Sequence, residues 1–215
     1  FAIWPLLSGT VVINRLELDE PSINLVSGPE GEANWRFDLD QLSDEEVSTV
    51  PPVIVRDALV RQGRVKYSGP DPRLNQDLEL NKLELILPEG TRDSTVTAVG
   101  SLNRSALELQ GSLMLVGDDD LEVSLNLVLG TISGDVSGTV SNLMEGGQAD
   151  LSLLLETGDL TQSVAMFVPG LTKRVRSLCS GTARVRATMR GQAGADLRID
   201  DIDVTTRSAL LRLTA

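Results

Sequence analysis

Few residues in this chain could carry covalent or metal chemistry. Its 215 residues include no histidine and a single cysteine, Cys179. Without imidazole there is no Ser-His or Cys-His dyad, no common general base near neutral pH, and no usual zinc, copper or iron ligand. Cys179 as a nucleophile would lack its base, so a buried thiol is the better reading. Asp118-Asp119-Asp120 and Asp200-Asp201-x-Asp203 present carboxylate oxygens of the kind calcium prefers. Neither has the spaced loop of an EF-hand, and solvated turns account for both. No pair of carboxylates is marked as a glycosidase couple. An enzyme is therefore not expected, and neither is a metal or cofactor.

Charge narrows the partners. With 19 basic against 31 acidic residues the net charge is −12, which disfavours nucleic acid because phosphate contact needs a basic surface. One window reverses that sign. From Thr161 to Ala195 there is no acid, while Lys173, Arg174, Arg176, Arg184, Arg186 and Arg190 fall inside it. These six are candidates for contact with anionic headgroups or an acidic partner. Pairing with the protein's own acidic surface explains them equally well.

Something must position these residues, and the hydrophobic pattern says what. Leu121, Val123, Leu125, Leu127 and Leu129 alternate with Glu122, Ser124, Asn126 and Val128, the two-residue period of a strand with one apolar face. The pattern recurs at Leu16/Leu18, Ile23/Leu25, Leu83/Leu85/Leu87 and Leu151/Leu153/Leu155, with turn signals roughly every 8–12 residues. That spacing indicates an all-β chain. Leu78 and Leu80 differ in parity from Leu83 and Leu85, so a bulge near Asn81-Lys82 must re-aim the face. Two strands are expected to meet near Gln62-Gly63. Residues 38–52, acidic and ending in Pro51-Pro52, read as a linker. One segment breaks the period: Asp159-x-x-Gln162 resembles a capping box, Leu160, Val164 and Phe167 follow at helical spacing, and Pro169-Gly170 stops the run. A short helix near 159–168 is expected against a sheet. Aromatics are only 3% of the chain, so the apolar surface is almost wholly aliphatic; Trp4 and Trp35 read as core anchors.

The opening residues Leu6-Leu7-Ser8-Gly9-Thr10-Val11-Val12-Ile13-Asn14-Arg15-Leu16-Glu17-Leu18-Asp19-Glu20-Pro21-Ser22-Ile23-Asn24-Leu25, followed by Gly31 and Asn34-Trp35, resemble the AsmA family. Val53 to Tyr67 resembles that family's next strand pair, with Gln62 where an acid is usual. The match is specific over the first 70 residues and stylistic thereafter, including Gly158-Asp159-Leu160. The resemblance implies a periplasmic protein of a Gram-negative bacterium, held to the inner membrane by a segment absent from this chain, which begins at Phe1 and reads as a fragment. It also implies kinship with TamB-like bridge proteins, whose elongated, curved, taco-like and antiparallel-rich sheet carries phospholipid along a groove in outer-membrane biogenesis.

The expected organisation is an AsmA-like β region over 1–70 and a β-sheet repeat region over 71–215. The expected groove lining is Leu83, Leu85, Leu121, Val123, Leu125, Leu127, Leu129, Leu151, Leu153 and Leu155, with Glu17, Glu79, Glu84, Glu108, Glu122 and Asn126 facing water. On periodicity alone a closed sandwich core is the better reading; the resemblance favours an open groove. The rival function is an assembly scaffold whose sheet edge pairs with an outer-membrane β-protein over a closed core.

Overall fold

In the computed structural model, residues 11–29, 32–34, 53–117, 119–143, 147–167, 181–192, 198–206 and 210–213 are described. Among them the chain forms twelve strands of one open sheet and an α-helix. The strands are β1 (Val11–Asp19), β2 (Ser22–Val26), β3 (Val53–Ser68), β4 (Gln76–Ile86), β5 (Asp93–Leu102), β6 (Ser105–Val116), β7 (Asp120–Leu129), β8 (Ile132–Ser141) and β9 (Gln148–Thr157). The helix α1 (Leu160–Phe167) follows, then β10 (Ala183–Gln192), β11 (Arg198–Thr206) and β12 (Leu210–Leu213).

From β3 to β12 the sheet is an antiparallel meander, each strand paired with the next in sequence. Short connections between oppositely running strands make this the natural outcome of closely spaced turn signals. The exception is the beginning. β1 and β2 lie end to end along β3 and both run parallel to it, Leu16 beside Ala58 and Ile23 beside Val65. β3 and β4, the strands on either side of residue 70, are antiparallel neighbours in this one sheet.

The expected turn at Gln62-Gly63 is instead the middle of a single 16-residue strand. Gln62 has φ 53°, and Glu20, its counterpart between β1 and β2, also has φ 53°. On β4 the pairing to β5 slips between Leu80 and Lys82, as the change of parity requires. Glu20, Gln62 and Asn81 therefore fall on one line across neighbouring strands. That bulge line returns Ile23/Leu25, Val65/Tyr67 and Leu78/Leu80 to the face already occupied by Leu16/Leu18, Ala58/Val60 and Leu83/Leu85.

No second sheet lies on this one among the described residues, because each strand makes its extensive contacts with its neighbours in the sheet. A β-sandwich, the arrangement periodicity alone favours, is not what forms. The segments 38–52 and 35–37, with Trp4, Trp35 and Cys179, lie outside the described residues.

Candidate functional site: the aliphatic face

Cross-strand partners in a β-ladder point to the same side of the sheet, so register identifies the face. One row runs Leu18, Val60, Leu83, Ala98, Leu109, Leu127, Gly134, Leu155, Val185, Val204 from the first strand to the eleventh. Every position is aliphatic or glycine. A second row runs Leu16, Ala58, Leu85, Val96, Gly111, Leu125, Val136, Leu153, Ala187. Val123 and Leu151 flank Gly138, Leu121 sits opposite Val140, and Leu129 opposite Ile132. All ten residues expected from sequence to line a groove thus share one face. Glu17, Glu79, Glu84, Glu108, Glu122 and Asn126 all fall on the other.

This face is deepest in the middle. Leu129 (4% exposed) and Ala149 (3%) are buried, whereas Leu18 (42%) near one edge and Ile199 (51%) near the other are exposed. No described side chain falls below 2% exposure. Strand neighbours alone rarely shield aliphatic side chains this well on a flat sheet, and four glycines of the face show how the sheet bends. A Cβ added at Gly111 would fall far inside contact distance of the Ser124 carbonyl oxygen and the Leu125 Cα on β7. At Gly134 it would strike the Leu154 carbonyl oxygen on β9, and Gly100 and Gly138 repeat the pattern against β4 and β9. A Cβ points away from the sheet, so it meets a neighbouring backbone only where that strand rises over the face. The sheet is therefore concave on its aliphatic side, and glycine at these places permits the bend. The result is a trough crossing ten strand positions. Nine inter-strand spacings of about 4.8 Å make it roughly 43 Å long.

The helix closes part of one rim. Asp159 caps it, accepting from the Gln162 backbone N–H at 3.0 Å, as the capping signal foretells. Ser163 is buried (6% exposed), its hydroxyl 2.7 Å from Thr157 Oγ1 and 3.1 Å from Thr131 Oγ1. At the C-terminal end, Asn103 Nδ2 donates to the Met166 carbonyl at 3.2 Å. The helix thus lies along the strand ends from β9 to β5. Leu160, Val164 and Phe167 line, with Ile132, Leu155 and Val185, an open apolar pocket of about 170 Å³. Sequence reasoning placed the helix but missed Ser163, whose only advance signal was a serine on the helix's apolar side.

The charged candidates are placed differently. Arg184 and Arg190 stand on the polar face, opposite the aliphatic rows. Arg184 Nε is 2.6 Å from Glu156 and Arg190 Nε is 3.3 Å from Asp150. Arg186 shares that face beside Asp203. Lys173, Arg174 and Arg176 lie outside the described residues. Of the acidic runs, Asp120 is the first residue of β7 and accepts from the Asn142 backbone N–H at 3.2 Å, and Asp200, Asp201 and Asp203 lie within strand β11 rather than in the expected turn.

Elsewhere on the polar face, arginine–carboxylate pairs tie strands together. Arg61 bridges Glu17 (3.3 Å) and Asp19 (3.1 Å), while Arg64 holds Asp77 through Nε at 2.9 Å. Hydrogen bonding from Arg64 keeps the Asp77 carboxyl below its usual range. In the β3–β4 loop, Arg73 donates to Asp71 through its side chain (2.6 to 3.0 Å) and its backbone N–H (3.0 Å), lowering the carboxyl from 3.8 to about 2. Folding lowers this value, so the pair favours the folded loop above about pH 4. That contribution fades as pH falls towards 2. An NMR titration of the Asp71 carboxyl should give a midpoint near 2, and Arg73→Gln should return it towards the ordinary aspartate value; an unshifted wild-type midpoint would disprove the pairing in solution.

Among the described residues no helix is long and apolar enough to cross a membrane. Comparison with protein-family models, with curated proteins and with solved structures finds no match for this chain.

Proposed function

We propose that this chain is a non-enzymatic, AsmA-like segment that holds and conducts phospholipid along its aliphatic trough in the periplasm of a Gram-negative bacterium. It would serve outer-membrane biogenesis and be anchored to the inner membrane by a further segment. The observation that carries this reading is the face itself. Aliphatic positions continue from strand to strand across one concave layer, with no second sheet among the described residues to occupy them. Apolar patches of that extent mark binding surfaces.

The energetics suit a lipid. Each methylene transferred from water gains about 0.8 kcal/mol, so a diacyl chain is held by non-directional contact without any polar anchor. Half of a bilayer's hydrocarbon thickness, about 15 Å, is the reach of one acyl chain, and the trough is longer by roughly threefold. Successive rows offer near-equivalent Leu and Val positions, so a chain moving along them meets no deep trap.

The test is native mass spectrometry of the chain purified from a Gram-negative host. Copurified phospholipid, or uptake from liposomes after delipidation, is the expected result. A particle that stays lipid-free in both cases would favour the scaffold reading instead, in which an edge such as β12 pairs with another β-protein.

A further inference from the structure

We infer that the helix-bearing rim of the trough carries a headgroup site for a zwitterionic, phosphoethanolamine-type phospholipid, an inference that rests on the trough being a lipid site. Phe167 lines two cavities. On the aliphatic face is the apolar space against Ile132, Leu155 and Val185; around the rim, reaching Arg64, Asp77 and Glu79 on the opposite face, is a mixed polar and apolar cavity of about 820 Å³ bounded by α1, the β3–β4 loop and the β5–β6 turn. Its walls include Arg104, Glu79, Asn75 and Asn103 as well as Met166 and Phe167. A phospholipid lying over this rim past Phe167 would keep its tail on the aliphatic face and bring its headgroup to the charged side chains of the larger cavity.

Both charge signs are present. Arg64 and Arg73 also reach this cavity, but each is committed to carboxylates, Arg64 to Asp77 and Glu79, Arg73 to Asp71. Arg104 makes no ion pair among the described residues. It can offer a guanidinium fork to a phosphodiester oxygen pair. Glu79 is tied to Arg64 only at 3.4 Å and its side chain is 55% exposed, leaving carboxylate capacity for an ammonium. A purely anionic headgroup would meet Glu79 unfavourably, whereas a phosphoethanolamine satisfies both signs.

The backbone adds an independent argument. Asn103 and Arg104 form the two-residue turn between β5 and β6 with φ 50° and 69°. Turns of this type favour Asn-Gly, because the second residue also needs a left-handed conformation. Asn103 fits, and it is used fully, bonding to Asp77, Gln76 and Met166. An arginine in the glycine position gains nothing for the turn, and its side chain opens onto the cavity.

Arg104→Gly is the decisive variant because it suits the turn and should fold at least as well as wild type by thermal melt. The delipidated chain is offered equimolar dioleoylphosphatidylethanolamine, dioleoylphosphatidylglycerol and dioleoylglycerol in non-ionic detergent micelles, and bound lipid is read by native mass spectrometry. Wild type should prefer the phosphatidylethanolamine over dioleoylglycerol at least tenfold, and Arg104→Gly should abolish that preference while still taking up dioleoylglycerol. Glu79→Gln should bring phosphatidylethanolamine down to the level of phosphatidylglycerol. Equal uptake of all three lipids by wild type, or an unchanged preference in Arg104→Gly, overturns the headgroup site and leaves the trough reading intact. No uptake of any lipid overturns both. Soluble glycerophosphoethanolamine should not displace the lipid at equal concentration; if it does, the ligand is the free phosphodiester and the lipid assignment falls.

Discussion

Leu125→Glu leaves the sheet folded and lowers phospholipid capture at least tenfold. Leu125 stands at the centre of the aliphatic rows, between Gly111 on β6 and Val136 on β8, and is only half-buried. In an empty trough a carboxylate there is reached by water, so folding tolerates it. Once an acyl chain covers the position, the same carboxylate must be desolvated without a partner. The cost is several kcal/mol, and each 1.4 kcal/mol is a tenfold loss of affinity. Asn126→Glu, one residue away on the polar face, is the control and should bind lipid as wild type does. Circular dichroism and native mass spectrometry read the two outcomes separately. If Leu125→Glu unfolds the chain completely, the face is a sealed core and the conduit reading is wrong.

Gly111→Ala should destabilise the protein by about 3 kcal/mol, or roughly 6–12 °C in Tm for a domain of this size. The added methyl meets backbone, the Ser124 carbonyl and Leu125 Cα, rather than a side chain that could swing away. Relief requires β7 to fall back from the face, which flattens the trough, so lipid capture should drop with stability. Gly158→Ala is the matched control: nothing lies within 4 Å of its added carbon, and substitution of a loop glycine at an unstrained site is neutral to slightly stabilising. Equal melting temperatures for Gly111→Ala and Gly158→Ala would show that the sheet does not bend as described.

Much of this architecture is legible in the chain because the signals are local. Alternation with period two identifies strands and sorts Leu121 to Leu129 from Glu122 to Asn126 without any knowledge of neighbours. The Asp159 cap and the spacing of Leu160, Val164 and Phe167 mark the helix for the same reason: capping and periodicity are settled within one or two turns. Even the bulge near Asn81 is readable, since parity within one strand must change where the buried face is kept.

Other features depend on partners distant in sequence. The expected turn at Gln62-Gly63 is a bulge because β1 and β2 run on past it along β3, a parallel pairing across an intervening segment that no local pattern announces. Arg184 and Arg190 look free in a window without acids, yet Glu156 and Asp150 wait across the ladder on β9. The rim cavity combines a loop, a hairpin turn and a helix end, from residues 64 to 167. Alternation by itself thus determined that each strand has one aliphatic side, and residue chemistry determined that catalysis by histidine was out of reach. Only register and bending decided that those sides join into one concave trough rather than the two halves of a sandwich. Both closures bury the same alternating side chains, and they differ in where glycine lets one strand climb over the next.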